Sequence, residues 1–276
     1  MEKRKGNIYY TTQRGKKTAL VFVHGLTSHA GIWQGIVPAF SDHTRICYEI
    51  RGHYRSQAKG EYSIEMCVKD LREILDQEKI QKAIFIGQCL GVYIILSFLQ
   101  KYPKRVEGIV SLGGNYQNSI KNFFPFSLSP FLGIITTFFS LVGTLSRNIH
   151  YTIAPMSYQE CRRAPEAYLY FRSTLCTLPK TWAQYNKAML QADYSNVLKK
   201  MSVPMLIMVG ENDHTFPVRI SKAMYHLCGS RGKYLVIIPH EGHSVFIKSP
   251  HKVTLHLRRF LDELEKIDNR TRQNSN

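Results

Sequence analysis

The chain is short of acid. Against 37 lysines and arginines it carries only 20 aspartates and glutamates, a formal net charge of +17. A balance of that sign attracts anions, so nucleic acid, anionic lipid and acidic acyl carriers are the partner classes to weigh. No nucleic-acid motif accompanies the charge, which argues against the first of these. Closely paired cysteines are also lacking. The six cysteines, Cys47, Cys67, Cys89, Cys161, Cys176 and Cys228, are scattered without CxxC spacing. This argues against a structural zinc site and a disulfide scaffold and points to a reducing, cytoplasmic setting. A membrane-crossing helix needs roughly 20 unbroken apolar residues, and the strongly apolar stretch Ser119 to Leu145, interrupted by prolines and hydroxyls, falls short of that. The charged start, Met1 to Gly6, leads into no apolar signal region, so no secretory leader is expected. Internal repeats, low-complexity linkers and cofactor motifs are absent from the pattern too.

What is present suits a globular α/β chain. With 276 residues, 44% hydrophobic and 21% charged, it can bury a sizeable core. Asn7 to Thr12 and Ala19 to His24 read as strands around the basic turn Arg14-Gly15-Lys16-Lys17. Trp33 to Phe40 reads as a first helix, and Arg45 to Ile50 as a strand. Ser63 is a plausible N-cap for an amphipathic helix to Glu78 with Met66, Val68, Leu71 and Leu75 as its apolar positions. A helix closed by Pro103 follows, then the near-continuous apolar strand Val106 to Gly113. From Asn115 to Leu198 the strand-helix alternation lapses into aromatic clusters and prolines. It resumes with a strand at Pro204 to Val209, a helix at Ile220 to Cys228, a strand at Lys233 to Ile238 and a helix from Val253 to Ile267. The break defines a core of residues 1–114 and 199–276 and a helical cap of 115–198. Its apolar stretch from Ser119 to Leu145 is expected to cover the active site, with acyl-chain binding, ordinary cap packing and peripheral membrane contact as open readings.

The chemistry centres on Ile84-Phe85-Ile86-Gly87-Gln88-Cys89-Leu90-Gly91-Val92, an apolar strand that turns sharply at Gly-x-Cys-x-Gly and restarts as a helix. Glycines flank the central residue because so tight a bend leaves no room for a Cβ there. The turn lifts the Cys89 sulfur above the sheet, and the start of the following helix favours its thiolate. A backbone turning directly after the strand ending Val23-His24-Gly25-Leu26 can aim the Leu26 N–H at a reacting carbonyl. His240 and His243 also spell His-x-x-His, but further ligands at metal-binding spacing are missing, so no metal is expected.

In their order, these motifs resemble the α/β-hydrolase superfamily across nearly the whole chain. His24-Gly25 follows one strand, Glu49-x-Arg51-Gly52-His53-x-x-Ser56 the next, Gly87-x-Cys89-x-Gly91 stands at the elbow, Gly210-x-x-Asp213 follows a late strand and Gly242-His243 the last. The resemblance implies a mostly parallel sheet flanked by helices, with a helical cap inserted after the strand that follows the nucleophile helix. It makes Cys89 the nucleophile, His243 the general base and Asp213 the carboxylate that orients the imidazole. Leu26 and Leu90 would supply the oxyanion-hole N–H groups. Glu211 is a competing acid, and Asn115 occupies the alternative acid position used by some members. Three departures stand out: Glu49 where aspartate is usual, Val92 where a glycine often stands three residues after the nucleophile, and cysteine in place of serine.

Cysteine changes the expected chemistry. An acyl-cysteine is a thioester, formed from a thioester substrate in near balance and able to acylate amines and alcohols. Within the superfamily, polyhydroxyalkanoate synthases show a similar Gly-x-Cys-x-Gly box, and dienelactone hydrolases also use cysteine. The first expectation is a hydrolase of carboxylic esters or thioesters. An acyltransferase drawing on acyl-CoA or acyl carrier protein is the second, and a non-catalytic binding protein on the same scaffold the third.

Overall fold

A computed structural model describes residues 1–56, 60–118, 156–165, 168 and 177–273. Eight strands form one sheet. In chain order they are β1 (Glu2–Lys5), β2 (Ile8–Gln13), β3 (Lys17–Val23), β4 (His43–Tyr48), β5 (Ala83–Gln88), β6 (Val106–Leu112), β7 (Met205–Gly210) and β8 (Lys233–Ile238). Their spatial order is β1-β2-β4-β3-β5-β6-β7-β8. β1 and β2 pair antiparallel, and β2 runs antiparallel to β4. From β4 to β8 every pairing is parallel. The parallel strands β5 and β7 are buried along their whole length, as strands covered on both faces must be, and this explains their unbroken apolar sequence.

Two apolar layers cover the sheet. On one face lie α1 (Ile64–Gln77), α2 (Leu90–Lys101) and α6 (Val218–Leu227), joined through Val21, Phe85, Leu71, Ile95, Phe98 and Met224. On the other, α8 (Pro250–Gln273) and two 3-10 turns, Ala30–Gly35 and Val37–Phe40, pack through Phe22, Trp33, Phe40, Leu257 and Phe260. Trp33 to Phe40 is therefore two tight turns where the sequence suggests one helix; Gly35 and Pro38 divide it. The hairpin strand β1 and the short helix α7 (Val245–Lys248) were not foreseen. At α1 the Ser63 hydroxyl accepts from the Met66 N–H, the expected N-cap.

Between β6 and β7 the described segments contain α3 (Tyr158–Arg163), α4 (Pro179–Gln191) and α5 (Ser195–Lys200) and no sheet strand. The apolar stretch Ser119 to Leu145 lies outside the described residues. α3 is tied to α7: the Lys248 ammonium donates to the carbonyls of Cys161 (3.0 Å), Arg162 (3.1 Å) and Ala164 at the end of α3. α4 is tied to the β4 loop, where the Tyr185 hydroxyl donates to the Arg51 carbonyl at 3.0 Å. Among the described residues no helix is long and apolar enough to cross a membrane.

Gly91, on the first turn of α2, shows how closely the elbow helix meets the sheet. A Cβ there would fall inside the contact distance of the Val23 carbonyl oxygen. Helix propensity alone predicts that Gly91→Ala stabilises by about 1 kcal/mol, because alanine is the better helix former. The contact predicts the opposite sign, a loss of about 2 kcal/mol from overpacking. A lowered urea midpoint at unchanged slope is the expected result.

Candidate active site

The elbow is built as its sequence suggests. β5 ends at Gln88, α2 begins at Leu90, and Cys89 between them has φ 51° and ψ −114°. This is a strained backbone for a residue with a Cβ, of the kind that persists where surrounding structure over-determines it. The Cys89 N–H reaches back to the Leu112 carbonyl of β6 at 3.4 Å, and its own carbonyl accepts from the Val92 N–H at 3.0 Å. Cys89 is half-buried, whereas Cys47, Cys67, Cys161 and Cys228 are buried. Burial pushes the Cys47 and Cys67 thiols up to about 12, which leaves them inert as nucleophiles at neutral pH.

His243 and Asp213 come together over the ends of β7 and β8. The His243 Nδ1–H donates to Asp213 Oδ2 at 2.8 Å, with both residues buried. Asp213 Oδ1 accepts from the Thr215 and Phe216 N–H groups, each at 2.8 Å, which fixes the carboxylate. Burial works against charge on His243, but the Asp213 hydrogen bond, then Cys89, outweigh it and push the imidazole up to about 10. Glu211 points elsewhere: its Oε2 accepts from the His240 N–H at 3.0 Å. Asn115 uses its Oδ1 to cap the Tyr116 N–H at 2.8 Å. The His240 side chain is 91% exposed, so it shares no centre with the buried His243.

Beside the elbow runs the Gly25-Leu26 turn. A Cβ on Gly25 would overlap the Gln88 amide oxygen and crowd the Cys89 Cβ, so the turn lies directly against both. Leu26 is half-buried there, followed by Thr27 at φ 60°, and Leu90 is buried as the first residue of α2. The substitution of valine at position 92 is accommodated by a glycine elsewhere. A Cβ on Gly114 would strike Val92 Cγ2, so the space a glycine at position 92 would leave is found at Gly114 instead.

A buried polar cluster supports the turn from beneath. His24 donates through Nδ1 to the Gly25 carbonyl at 2.8 Å and accepts through Nε2 from the Ile50 N–H at 3.0 Å. Glu49 Oε1 stands 3.2 Å from that same Nε2, and its Oε2 accepts from the Ala30 N–H at 3.2 Å. An Nε2 that is already accepting has no proton to give a carboxylate, so the neutral acid is the form of Glu49 that fits. The electrostatics agree. Burial raises Glu49 to about 7 and lowers His24 to about 4 and His53 to about 3. Ser56 closes the loop, donating to the Glu49 carbonyl at 2.7 Å and accepting from the Tyr9 N–H at 2.8 Å. Arg51 forks onto Asp70 at 2.8 and 2.5 Å, joined by the Tyr48 hydroxyl at 3.0 Å. The motif Glu49-x-Arg51-Gly52-His53-x-x-Ser56 is thus a scaffold for the turn.

Sequence reasoning missed two neighbours of His243. Phe216 sets its ring against the imidazole at 5.6 Å between centroids, and Gln88 Nε2 lies 2.7 Å from His243 Nε2. The place of Gln88, just before the elbow cysteine, was the available signal. Among the described residues no group of three or more His, Cys, Asp or Glu side chains could hold a metal ion.

A parallel sheet with a strained cysteine at the strand-to-helix turn and a buried His-Asp pair beyond it defines an α/β-hydrolase architecture. A family model described as alpha/beta hydrolase fold matches residues 18–250, and the chain belongs to that family. A pimeloyl-[acyl-carrier protein] methyl ester esterase of Wigglesworthia glossinidia brevipalpis is 24% identical over 246 residues, 84% of this chain and 88% of the relative. A putative 2-succinyl-6-hydroxy-2,4-cyclohexadiene-1-carboxylate synthase of Bacillus subtilis is 25% identical, covering 84% and 86%. A thermophilic esterase of Thermogutta terrifontis superposes with a TM-score of 0.73 at 22% identity, covering 93% of this chain and 94% of that one. Family and relatives together support an ester hydrolase.

The Glu49 geometry has a measurable consequence. Its folded value near 7 lies above its ordinary 4.5, so the stability it contributes is full below pH 4.5 and is lost as pH rises through 7. Glu49→Gln, which keeps a neutral donor, removes that dependence. Wild type should match the variant near pH 4.5 and fall below it by on the order of 3 kcal/mol above pH 7 in denaturant titrations.

Proposed function

We propose that the chain hydrolyses carboxylic esters or thioesters through Cys89, His243 and Asp213. The observation that carries this reading is the buried 2.8 Å hydrogen bond from His243 Nδ1 to Asp213, set beside a cysteine held at φ 51°. In the proposed cycle His243 Nε2 takes the Cys89 thiol proton and the sulfur attacks the acyl carbon. The negative charge moves to the carbonyl oxygen, facing the Leu26 and Leu90 N–H groups. Collapse breaks the bond to the leaving alkoxide or thiolate, which receives the proton from His243 and departs. The acyl-cysteine then meets water; His243 takes one water proton as the oxygen attacks, and a second collapse releases the acid and returns the proton to sulfur. Asp213 keeps the tautomer with Nδ1 protonated and stabilises the imidazolium formed twice in the cycle.

Relatives named for a pimeloyl-[acyl-carrier protein] methyl ester support an acyl ester, free or carried on an acidic protein, as substrate. The net charge of +17 suits such a carrier. The division into a core of 1–114 and 199–276 and a cap of 115–198 belongs to the same reading, supported by three described helices where strand alternation stops. The cysteine itself favours a second reading, acyl transfer to an alcohol or amine, since its thioester is an activated donor.

Intact mass and product acid, followed after mixing with methyl esters and acyl-CoA thioesters, separate the two. Rapid release of acid supports the hydrolase; an acyl adduct that persists in water and clears on adding an amine or alcohol supports the transferase. Cys89→Ala should lower kcat on the order of 10⁴-fold or more, whereas Cys67→Ala and Cys228→Ala should leave it within a few-fold. Retained turnover in Cys89→Ala would sink both readings.

A further inference from the structure

Gln88 belongs to neither the expected triad nor the oxyanion hole, yet its side chain meets His243 and lies against the Gly25 turn. It is 5% exposed, at the last position of β5. Its amide nitrogen lies 2.7 Å from His243 Nε2, while its amide oxygen lies against Gly25, where only a residue lacking a Cβ admits it. The imidazole is therefore gripped at both ends, by Asp213 Oδ2 at Nδ1 and by Gln88 at Nε2. The titratable groups facing it are Asp213 from the loop after β7 and Cys89 from the elbow; Phe216 adds only a ring.

The two ends act in opposite senses. Nδ1 donates to a carboxylate, which favours the imidazolium. Nε2 receives an amide N–H, which requires its lone pair and so favours the neutral ring. That lone pair is also the one that must take the Cys89 proton.

We propose that Gln88 is a positioning residue that opposes the charged form of His243 and so raises the pH at which Cys89 becomes a thiolate. The inference rests on the Cys89–His243 reading above. Cys89 also reaches His243, whose Nδ1 is taken by Asp213, so the sulfur and the Gln88 amide compete for Nε2. Asp213 stabilises the thiolate–imidazolium pair and Gln88 opposes it, so the balance of the two sets how readily the thiolate forms. The proton balance is simple: one proton leaves Sγ and arrives at Nε2, and the amide keeps both of its own.

The test is the pH dependence of Cys89 alkylation by iodoacetamide, read by peptide mass, in wild type, Gln88→Met, Gln88→Ala and His243→Ala. Methionine keeps the length and removes the donor; alanine removes the side chain and admits water. Melting temperatures identify which variants are folded. One neutral hydrogen bond corresponds to about one pH unit. The acid limb should therefore move down by about one unit in both Gln88 variants, with alkylation near the foot of the wild-type limb several-fold faster. A limb that stays in place or moves up in a folded Gln88 variant overturns the proposal and leaves the catalytic reading intact. If the wild-type profile is unaltered by His243→Ala, the catalytic reading itself fails and this inference falls with it.

Discussion

Everything in the site depends on how closely one turn approaches the sheet beneath it. Gly91 brings the first turn of α2 against the Val23 carbonyl, and Cys89 is bent into φ 51° to make the connection. The strain is held by structure on every side: β5 lies between β3 and β6, and the face carrying α2 is packed through Phe85, Ile95 and Phe98. Loosening that approach would drop the sulfur back toward the strand ends. The His-Asp pair, fixed separately by the Thr215 and Phe216 amides, would then face an empty position.

The parallel half of the fold was legible because its physics is local. Buried strands such as β5 and β7 read as unbroken apolar runs, and the elbow, Asp213 and His243 each follow a strand at a turn their neighbours define. What escaped was set by tertiary contacts. β1 is a charged strand, Glu2 to Lys5, that exists because β2 offers it an edge. Trp33 to Phe40 carries a helical apolar pattern but is broken by Gly35 and Pro38 into two turns. Gln88 reads as a polar residue at a strand end; only the fold brings it to a histidine 155 residues away. Acyl-chain binding, cap packing and membrane contact, the three open readings for Ser119 to Leu145, all concern residues outside those described.

Buried charge is managed differently in two parts of the fold. Near the sheet edge, Glu78 is fully satisfied by Lys3, Tyr10 and Arg14, each at 2.7 Å, and with that cationic company its carboxyl lies below the usual range. Beneath the Gly25 turn no ion pair to a lysine or arginine reaches Glu49 among the described residues, and burial raises its carboxyl to about 7. Two glutamates of the same chemistry are thus shifted in opposite directions, and the difference is made by which neighbours can give protons. Acid is scarce in this chain, and the buried carboxyls of Glu78, Asp70 and Asp213 are each set against a base, while that of Glu49 holds its proton more tightly than usual.

Val92 and Gly114 share one volume. The valine methyl fills the space into which any side chain at 114 would project, so the two positions are coupled through van der Waals exclusion rather than through any bond. In a lineage this couples their histories: a larger residue at 114 becomes admissible only after position 92 has shrunk, and the reverse order passes through an overpacked intermediate. Related sequences should therefore carry bulk at one of these two sites and smallness at the other, a signature of steric bookkeeping that says nothing about catalysis.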